Sequence, residues 1–325
     1  MTAATAVAVA SVTRIAEKAM GWLSDHRDGF DLDDSALDPA ADVDKSWKPL
    51  GELAQMCSCV RRDTRPGTFL HDTASDLLRH AWRQTDDGSL FLALQRLEPH
   101  ATYPLEVYAA FAAGGLRHPG YEDFAAGLVR SRSWRTAEML PNRRLSVVNS
   151  ERRAGLPPSH DTATVLRRTW LGALPEPWAF ERFAGYTLTH VVYHLTDWGH
   201  DVHRVPADVA DYLTTWLPAW LDGCVEAQAW DLCGELLAVA AGLPEPPPPE
   251  STEHAWQALA LAQDADGALP EAGRGPHGED VPRVFANCYH STLVVAFAAA
   301  LTAGRRTRNG DGGGGGDDTG RGAPV

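Results

Sequence analysis

The sequence predicts an all-α fold, in the form of an α/α-toroid of about five or six helical hairpins. Three observations lead to this prediction. Apolar residues recur at helical spacing along most of the chain, alternating β-branched strand patterns are nearly absent, and one hairpin-length pattern occurs twice.

The predicted helices are amphipathic segments separated by glycine, proline and aspartate. They cover residues 44–61, 71–83, 104–113, 122–131, 177–195, 209–220, 230–241, 253–262 and 288–301. Residues 244–250, reading PEPPPPE, interrupt this series and predict a stiff, extended connector between two helices.

The repeated pattern has two parts, which occur in the same order in both copies. The first part is A-x-x-Q-x-x-D-G-x-L and begins at Ala81 and again at Ala260. The second part begins at Tyr103, as Y-x-x-x-V-x-x-A-F-A-A, and again at Tyr289 with leucine in place of valine. Tyr186 begins a third, weaker copy, in which histidines replace the two apolar positions.

Each copy predicts one helical hairpin. An outer helix ends at an Asp-Gly turn, where glycine supplies a left-handed cap, and a loop then leads to a tyrosine at the head of an apolar inner helix. A single hairpin cannot bury both of its faces, so neighbours must stack. About 280 ordered residues at about 45 per hairpin suit a closed ring better than an open solenoid.

The chain is expected to contain one folded domain and one tail. Residues 1–303 form the predicted toroid domain. Residues 304–325 contain a run of five glycines with Asp, Arg and Thr, which predicts a disordered, flexible tail.

Charge restricts the expected partners. The 325 residues carry a formal net charge of −14 and no long basic run. Binding to nucleic acid or to an anionic membrane requires a positive face, so neither is expected, and a small-molecule substrate is the predicted partner. The sequence identifies no protein partner. Several arginines are expected to lie in water, with binding of one small anion as the alternative: Arg143, Arg144, Arg152, Arg153, Arg167 and Arg168.

Five cysteines in a chain of this size are too few and too odd in number for a disulfide scaffold, which indicates a reducing compartment. The first twelve residues lack the basic start of a signal peptide, and no uninterrupted apolar run reaches the length of a membrane span. We therefore expect a cytoplasmic protein.

Two resemblances accompany these patterns. The segments WKPLGELA, THVVYHLTDWG, WDLCGELL and CYHSTLV resemble a family of uncharacterised actinobacterial helical proteins, which implies no reaction. The segment from Leu261 to Leu301, with AQDADGALPE and then CYHSTLVVAFAAAL, resembles the closing hairpin of protein prenyltransferase β-subunits, which share their α/α-barrel with terpene cyclases.

The prenyltransferase resemblance implies a zinc site. In that family a Y-H pair supplies a zinc-binding histidine, matching His290 here, and a D-x-C motif supplies the other two ligands, matching Asp231 and Cys233, with Asp222 and Cys224 as the alternative pair. Aspartate, thiolate and imidazole around one open position are typical of catalytic rather than structural Zn²⁺. The alternative is structural: a helix cap, a buried thiol and a hydrogen-bonded imidazole.

A second candidate site is carried by one predicted helix. His190, His194 and Asp197 are spaced so that they fall on one helix face, where two imidazoles can share a metal and a carboxylate can orient or bind. His190 and His194 are therefore candidate metal ligands together with Asp231, Cys233 and His290. His194, Asp197 and Tyr289 are the candidate catalytic residues. The alternative is hydrogen bonding that only stabilises the fold.

These patterns predict a metal-dependent α/α-barrel enzyme that acts on a small or isoprenoid-like molecule in specialised metabolism. The first alternative is a metal-free cyclase or lyase that uses His194 and Asp197 as acid and base. The second is a non-catalytic helical-repeat protein that binds a ligand or partner. The sequence does not specify the substrate, the reaction, the metal or the oligomeric state.

Overall fold

The computed structural model describes residues 3–38, 40–274 and 279–311. Within these ranges the chain forms α-helices, short 3₁₀ turns and no strand, apart from one isolated bridge between Arg274 and Asp280. The helices of this part of the chain are α1 (Ala3–Asp25), α2 (Trp47–Asp63), α3 (Phe69–Gln84), α4 (Ser89–Leu97), α5 (Tyr103–Ala113), α6 (Pro119–Leu128), α7 (Arg132–Thr136), α8 (Pro141–Arg153), α9 (Thr162–Leu166), α10 (Arg182–Thr196), α11 (Ala207–Glu226), α12 (Trp230–Ala241), α13 (Glu250–Ala262) and α14 (Phe285–Asp311). The all-α prediction is confirmed.

Six of these helices contact one another in a closed order, which we call the contact ring. Starting from α2, the contacts lead to α5, α8, α10, α12 and α14, and α14 in turn contacts α2. Other helices pack outside this sequence of contacts: α3 on α2, α1 on α14 and α3, and α11 and α13 on α12 and on each other. Helices of the ring therefore have packed neighbours on several sides.

Burial follows from this arrangement. All twelve residues of α12 are buried, which agrees with a sequence that is apolar except for Asp231 and Glu235. Most of α14 is buried too. The segment Phe285–Arg308 is the one described helix that is long and apolar enough to cross a membrane by composition, and 72% of that apolar window is buried inside the protein. This helix is therefore packed mainly inside the protein.

The two repeat copies adopt the predicted left-handed glycines. Gly88 has φ +91° and Gly267 has φ +104°, a region that glycine enters without steric cost. At Gly267 a Cβ atom would lie 2.1 Å from the backbone oxygen of Lys18, so glycine also permits the close approach of α1. The outer helices end a few residues before these glycines, at Gln84 and Ala262.

The structure differs from the sequence-based prediction at several elements. The predicted helix over residues 177–195 is divided into a 3₁₀ turn and α10, because Phe180 and Glu181 have extended backbones. The helices α1, α4 and α8 were not predicted. The sequence of α8 is polar, NRRLSVVNSERR, and lacks the expected apolar stripe.

The C-terminal helix extends beyond the predicted domain end at residue 303. It continues to Asp311, because Arg305 donates a hydrogen bond to the carbonyl of Leu243 at 2.8 Å and Arg308 lies 3.5 Å from Asp63. Residues 312–325, where the rest of the predicted tail falls, lie outside the described residues. The predicted extended connector does separate α12 from α13. All five cysteines are buried and free.

Candidate functional site

A cavity of about 460 Å³ is lined by side chains from every helix of the contact ring. We call it the central cavity. Its polar lining includes Glu52 and Gln55 from α2, Glu106 from α5, Arg143, Asn149 and Arg153 from α8, His190 and His194 from α10, Glu235 from α12 and His290 from α14.

Four of these residues form a continuous series of carboxylates and imidazoles, which we call the Glu–His chain. His290 Nδ1 lies 3.0 Å from Glu52 Oε2, and His290 Nε2 lies 3.6 Å from Glu235 Oε1. The same oxygen of Glu235 lies 3.7 Å from His190 Nε2. One carboxylate oxygen is therefore shared by two imidazoles that arrive on different helices.

Glu235 is the buried centre of this chain. Its side chain is 2% exposed, and its second carboxylate oxygen accepts a hydrogen bond from the hydroxyl of Thr189. The Tyr193 hydroxyl donates to the backbone carbonyl of the same residue at 3.0 Å. A buried carboxylate is tolerated only where it is paired and hydrogen-bonded, and α10 supplies most of these partners.

The Glu–His chain shifts the proton affinities of Glu235 and His290 in opposite directions. Burial by itself raises the pKa of Glu235, but His190 and His290 lower it to about 2. Burial lowers the pKa of His290, but Glu52 and Glu235 raise it well above its usual range. At neutral pH the chain therefore holds an ionised Glu235 beside a protonated His290.

His194 lies in the same cavity in the opposite state. It is 8% exposed, its ring centroid lies 6.2 Å from that of His190, and among the described residues it has no hydrogen-bond partner. Burial lowers the pKa of His194 well below its usual range, and the nearby positive groups of His190, Arg143 and Arg153 lower it further. His194 is therefore neutral at neutral pH, and no described residue forms a hydrogen bond with its ring nitrogens.

Helix α8, which packs against α10, adds polar residues to the wall of the cavity. Arg153 is buried, with its Nε 2.9 Å from Asp197 Oδ1, and it also donates to Gln55 Oε1. Arg143 donates to Glu106 Oε1 at 2.7 Å. The expectation that the arginines of this segment lie in water is wrong for Arg144 and Arg153, because α8 faces the protein interior.

The three predicted histidines meet in one cavity, whereas Asp197 does not join them in the predicted way. Helix α10 ends at Thr196, and Asp197 takes a left-handed conformation with φ +49°. This turns its carboxylate away from the face of His190 and His194. It pairs instead with Arg153, accepts a hydrogen bond from Asn149 at 3.3 Å, and lines a second, polar cavity of about 490 Å³.

The predicted zinc ligands are not brought together. Asp231 accepts hydrogen bonds from the Tyr186 hydroxyl and from the backbone N–H of Leu232, and it lines a third cavity. Cys233 lies fully buried in the core, where burial raises the pKa of its thiol. Side chains two residues apart on a helix diverge by about 200°, which explains why this pair does not converge.

No group of three or more His, Cys, Asp or Glu side chains in the described ranges is arranged to hold a metal ion. The residues present therefore do not fit the Asp, Cys and His zinc centre that the resemblance implies. The alternative pair diverges as well, since exposed Asp222 lies 3.3 Å from His254 and Cys224 is buried.

Tyr289 packs in an aromatic cluster. It stacks on Phe285 with ring centroids 5.2 Å apart and meets Phe30 edge to face at 5.9 Å. Burial raises the pKa of its hydroxyl, and the Glu52 carboxylate nearby raises it further. These contacts place Tyr289 beside the Glu–His chain, in the aromatic packing between α14 and the segment after α1.

The sequence analysis missed Glu52 and Glu235. A signal for Glu235 exists, because it is a lone carboxylate inside the apolar run WDLCGELLAVAAGL, one turn after Asp231. Glu52 has no comparable signal. It lies in a predicted helix that carries several polar residues.

Fold and site together define a class: an all-helical protein in which a closed series of helix contacts surrounds a cluster of carboxylates and imidazoles. The chain belongs to a family described as a domain of unknown function, DUF6895, which matches residues 16–300. No curated protein and no solved structure matches the chain significantly. The predicted membership of an uncharacterised helical family is thereby confirmed, and the prenyltransferase resemblance stays a prediction.

Proposed function

We propose that this protein is an α/α-toroid enzyme that transfers protons on a small polar molecule without a metal ion, as a cyclase or lyase does. The observation that carries the proposal is the presence of a protonated histidine and a neutral histidine in one cavity. Support for the toroid comes from the closed order of helix contacts and from the contribution of all six helices to that cavity.

The roles follow from the two proton affinities. A group whose pKa is raised can donate a proton at neutral pH, and one whose pKa is lowered can accept one. His290 is the general acid in this proposal, and His194 is the general base. Glu235 and Glu52 act as positioning residues that stabilise the imidazolium of His290, because both carboxylates are held against that ring.

The cavity suits this chemistry in size and surroundings. A volume of about 460 Å³ accommodates a small molecule, and apolar side chains such as Val107 and Met56 line it beside the charged groups. Partial exclusion of water strengthens the electrostatic effect of the fixed charges on a reacting group.

The test is a turnover experiment that does not assume a substrate. Purified protein is incubated with a small-molecule extract of its source cells, and consumed and formed compounds are followed by mass spectrometry. We expect a compound that the wild type converts and that H194Q and H290Q convert at least about 100-fold more slowly, since a general acid or base contributes roughly this factor.

The matched control is E17Q, because Glu17 is an exposed carboxylate on α1. Circular dichroism must show that each variant is folded, and H194Q is the more informative one because no hydrogen bond depends on His194. Conversion by folded H194Q at the wild-type rate would refute the role of His194. Absence of any converted compound with wild type would refute the enzyme proposal.

The metal-dependent alternative stays a prediction with its own test. Zinc bound by Asp231, Cys233 and His290 requires stoichiometric zinc in protein purified without chelators, and lower zinc content in C233S. The metal-free proposal requires that treatment with a chelator leaves the turnover unchanged.

A further inference from the structure

A cavity of about 970 Å³ lies apart from the Glu–His chain and has an aromatic wall. We call it the aromatic cavity, and its aromatic lining is Trp178, Phe180, Trp216 and Trp220. Phe180 and Trp220 stack with ring centroids 4.6 Å apart, and the Trp220 indole N–H donates to the carbonyl of Pro177. This half of the wall is therefore fixed.

The other half of the aromatic wall is open to solvent. Trp178 is 83% exposed and Trp216 is 37% exposed. Exposed tryptophans that line one cavity leave a large apolar surface in water, which is a common property of ligand-binding surfaces. Both indole rings present faces that are not covered by the protein core.

Carboxylates lie at the buried end of the aromatic cavity, and arginines lie at its exposed edge. Asp231 is 3% exposed, and Glu271 is half-buried beside it, because the Asp231 N–H donates to the Glu271 carbonyl at 3.1 Å. Arg182 and Arg274 are exposed residues of the lining.

In the described part of the chain, the buried carboxylate of Asp231 and the half-buried carboxylate of Glu271 are only partly compensated by positive charge. Arg182 approaches Asp231 at 3.8 Å and is itself held by the ring and hydroxyl of Tyr186. Within the described residues the side chain of Glu271 has no hydrogen-bond partner. A positive group at this end would therefore be favoured.

We propose that the aromatic cavity is a second binding site, which takes an organic cation with an aromatic or alkyl body. The tryptophan faces attract the cation and cover its apolar body, and the carboxylates of Asp231 and Glu271 supply the opposite charge. The site is separate from the central cavity, although both receive a carboxylate from α12, Asp231 in one and Glu235 one turn later in the other.

The test uses benzyltrimethylammonium as the probe, with benzyl alcohol as a neutral comparison and phenylacetate as an anionic one. Binding to the full-length protein is measured by isothermal titration calorimetry and by tryptophan fluorescence. We expect saturable binding, with the highest affinity for the cation, a lower affinity for the neutral alcohol and the lowest affinity for the anion. We expect W178A and E271Q each to weaken binding of the cation about threefold or more. This loss is within the usual range for a cation–aromatic contact.

Two controls separate this site from others. F69A removes an exposed aromatic side chain outside the cavity and is expected to leave the affinity unchanged. H190Q alters the central cavity and is also expected to leave it unchanged. Equal affinity for the cation and for benzyl alcohol, or equal losses in W178A and F69A, would overturn the proposal, and so would the absence of saturable binding.

Discussion

At the scale of single residues, His290 shows how partners on other helices determine the charge of a side chain. The His290 side chain is 20% exposed, and its burial alone favours the neutral form. Glu52 from α2 and Glu235 from α12 reverse this preference because both carboxylates lie within 4 Å of the ring. His194, which lacks such partners, keeps the neutral form that burial favours.

This contrast predicts the effect of E52Q on titration. Removing the charge of Glu52 should lower the pKa of His290 by at least about one pH unit, since a neighbouring opposite charge is worth 1–3 units. The measurement is the pH dependence of the histidine ring ¹⁵N shifts, with the His290 signal assigned from H290Q. E17Q is the control. An unchanged midpoint for His290 in E52Q would contradict the described pairing.

The same variant has a defined pH dependence of stability. The folded pKa of His290 is raised, so its stabilising contribution is complete below its unfolded pKa of about 6.5 and is lost as the pH rises through the folded pKa. The difference in unfolding free energy between wild type and E52Q should therefore be largest near pH 5 to 6 and should decrease at higher pH.

At the scale of elements, the end of α10 shows how a short backbone segment directs side chains. Asp197, Trp198 and Gly199 all have positive φ, at 49°, 57° and 80°. The turn sends the Asp197 carboxylate to Arg153 of α8, while Trp198 stacks on Tyr193 at 4.6 Å. A regular helix through these positions would have placed Asp197 on the face of His194.

This turn predicts the effect of G199A. A left-handed conformation costs a non-glycine residue about 1–2 kcal/mol, and the new Cβ would lie 2.7 Å from Leu301, so G199A should lower the unfolding free energy by at least that amount. The control is G21A in α1, where a Cβ meets nothing within 4 Å. It should raise the stability by about 0.5–1 kcal/mol. Urea unfolding measures both, and equal effects would contradict the described turn.

Helix α8 shows why a polar sequence can be buried. Arg144, Asn149 and Glu151 are all buried, and each has a specific partner, such as the hydrogen bond from the Trp134 indole to Glu151 at 2.8 Å. A helix that contributes to a polar cavity needs no apolar stripe on that face. The absence of such a stripe is why sequence periodicity does not identify α8.

At the scale of the whole molecule, the C-terminal helix joins the two ends of the chain. Helix α14 packs against α1, α2 and α12. The last helix of the described chain is therefore in contact with the first. Removal of α14 would expose apolar faces on three helices at once.

This arrangement predicts different outcomes for two truncations. A chain ending at residue 284 should show no cooperative thermal unfolding, because the contact ring is opened and its core is exposed. A chain ending at residue 311, which lacks only the glycine-rich end, should keep its Tm within about 2 °C of that of the full-length protein. Calorimetry distinguishes them, and cooperative unfolding of the 1–284 chain would contradict the role of α14 in closing the ring.

The sequence by itself determined the class of secondary structure, the left-handed glycines of the repeat and the choice of His190, His194 and His290 as candidate site residues. These features are local, because helical periodicity, an Asp-Gly turn and a polar residue in an apolar helix are visible within a few residues of the chain. The same reasoning indicates that Asp231 and Cys233, two residues apart on one helix, point in different directions, so their predicted sharing of zinc depends on the family motif alone.

Only the tertiary structure decided which groups meet and in what protonation state. Glu52, Glu235 and His290 come from helices separated by as many as 238 positions, and no local pattern encodes their approach. Their pKa values depend on burial and on charges delivered by other helices, which are properties of the assembled ring. For the same physical reason, the sequence could place His194 and His290 on helices but could not assign one as neutral and the other as protonated.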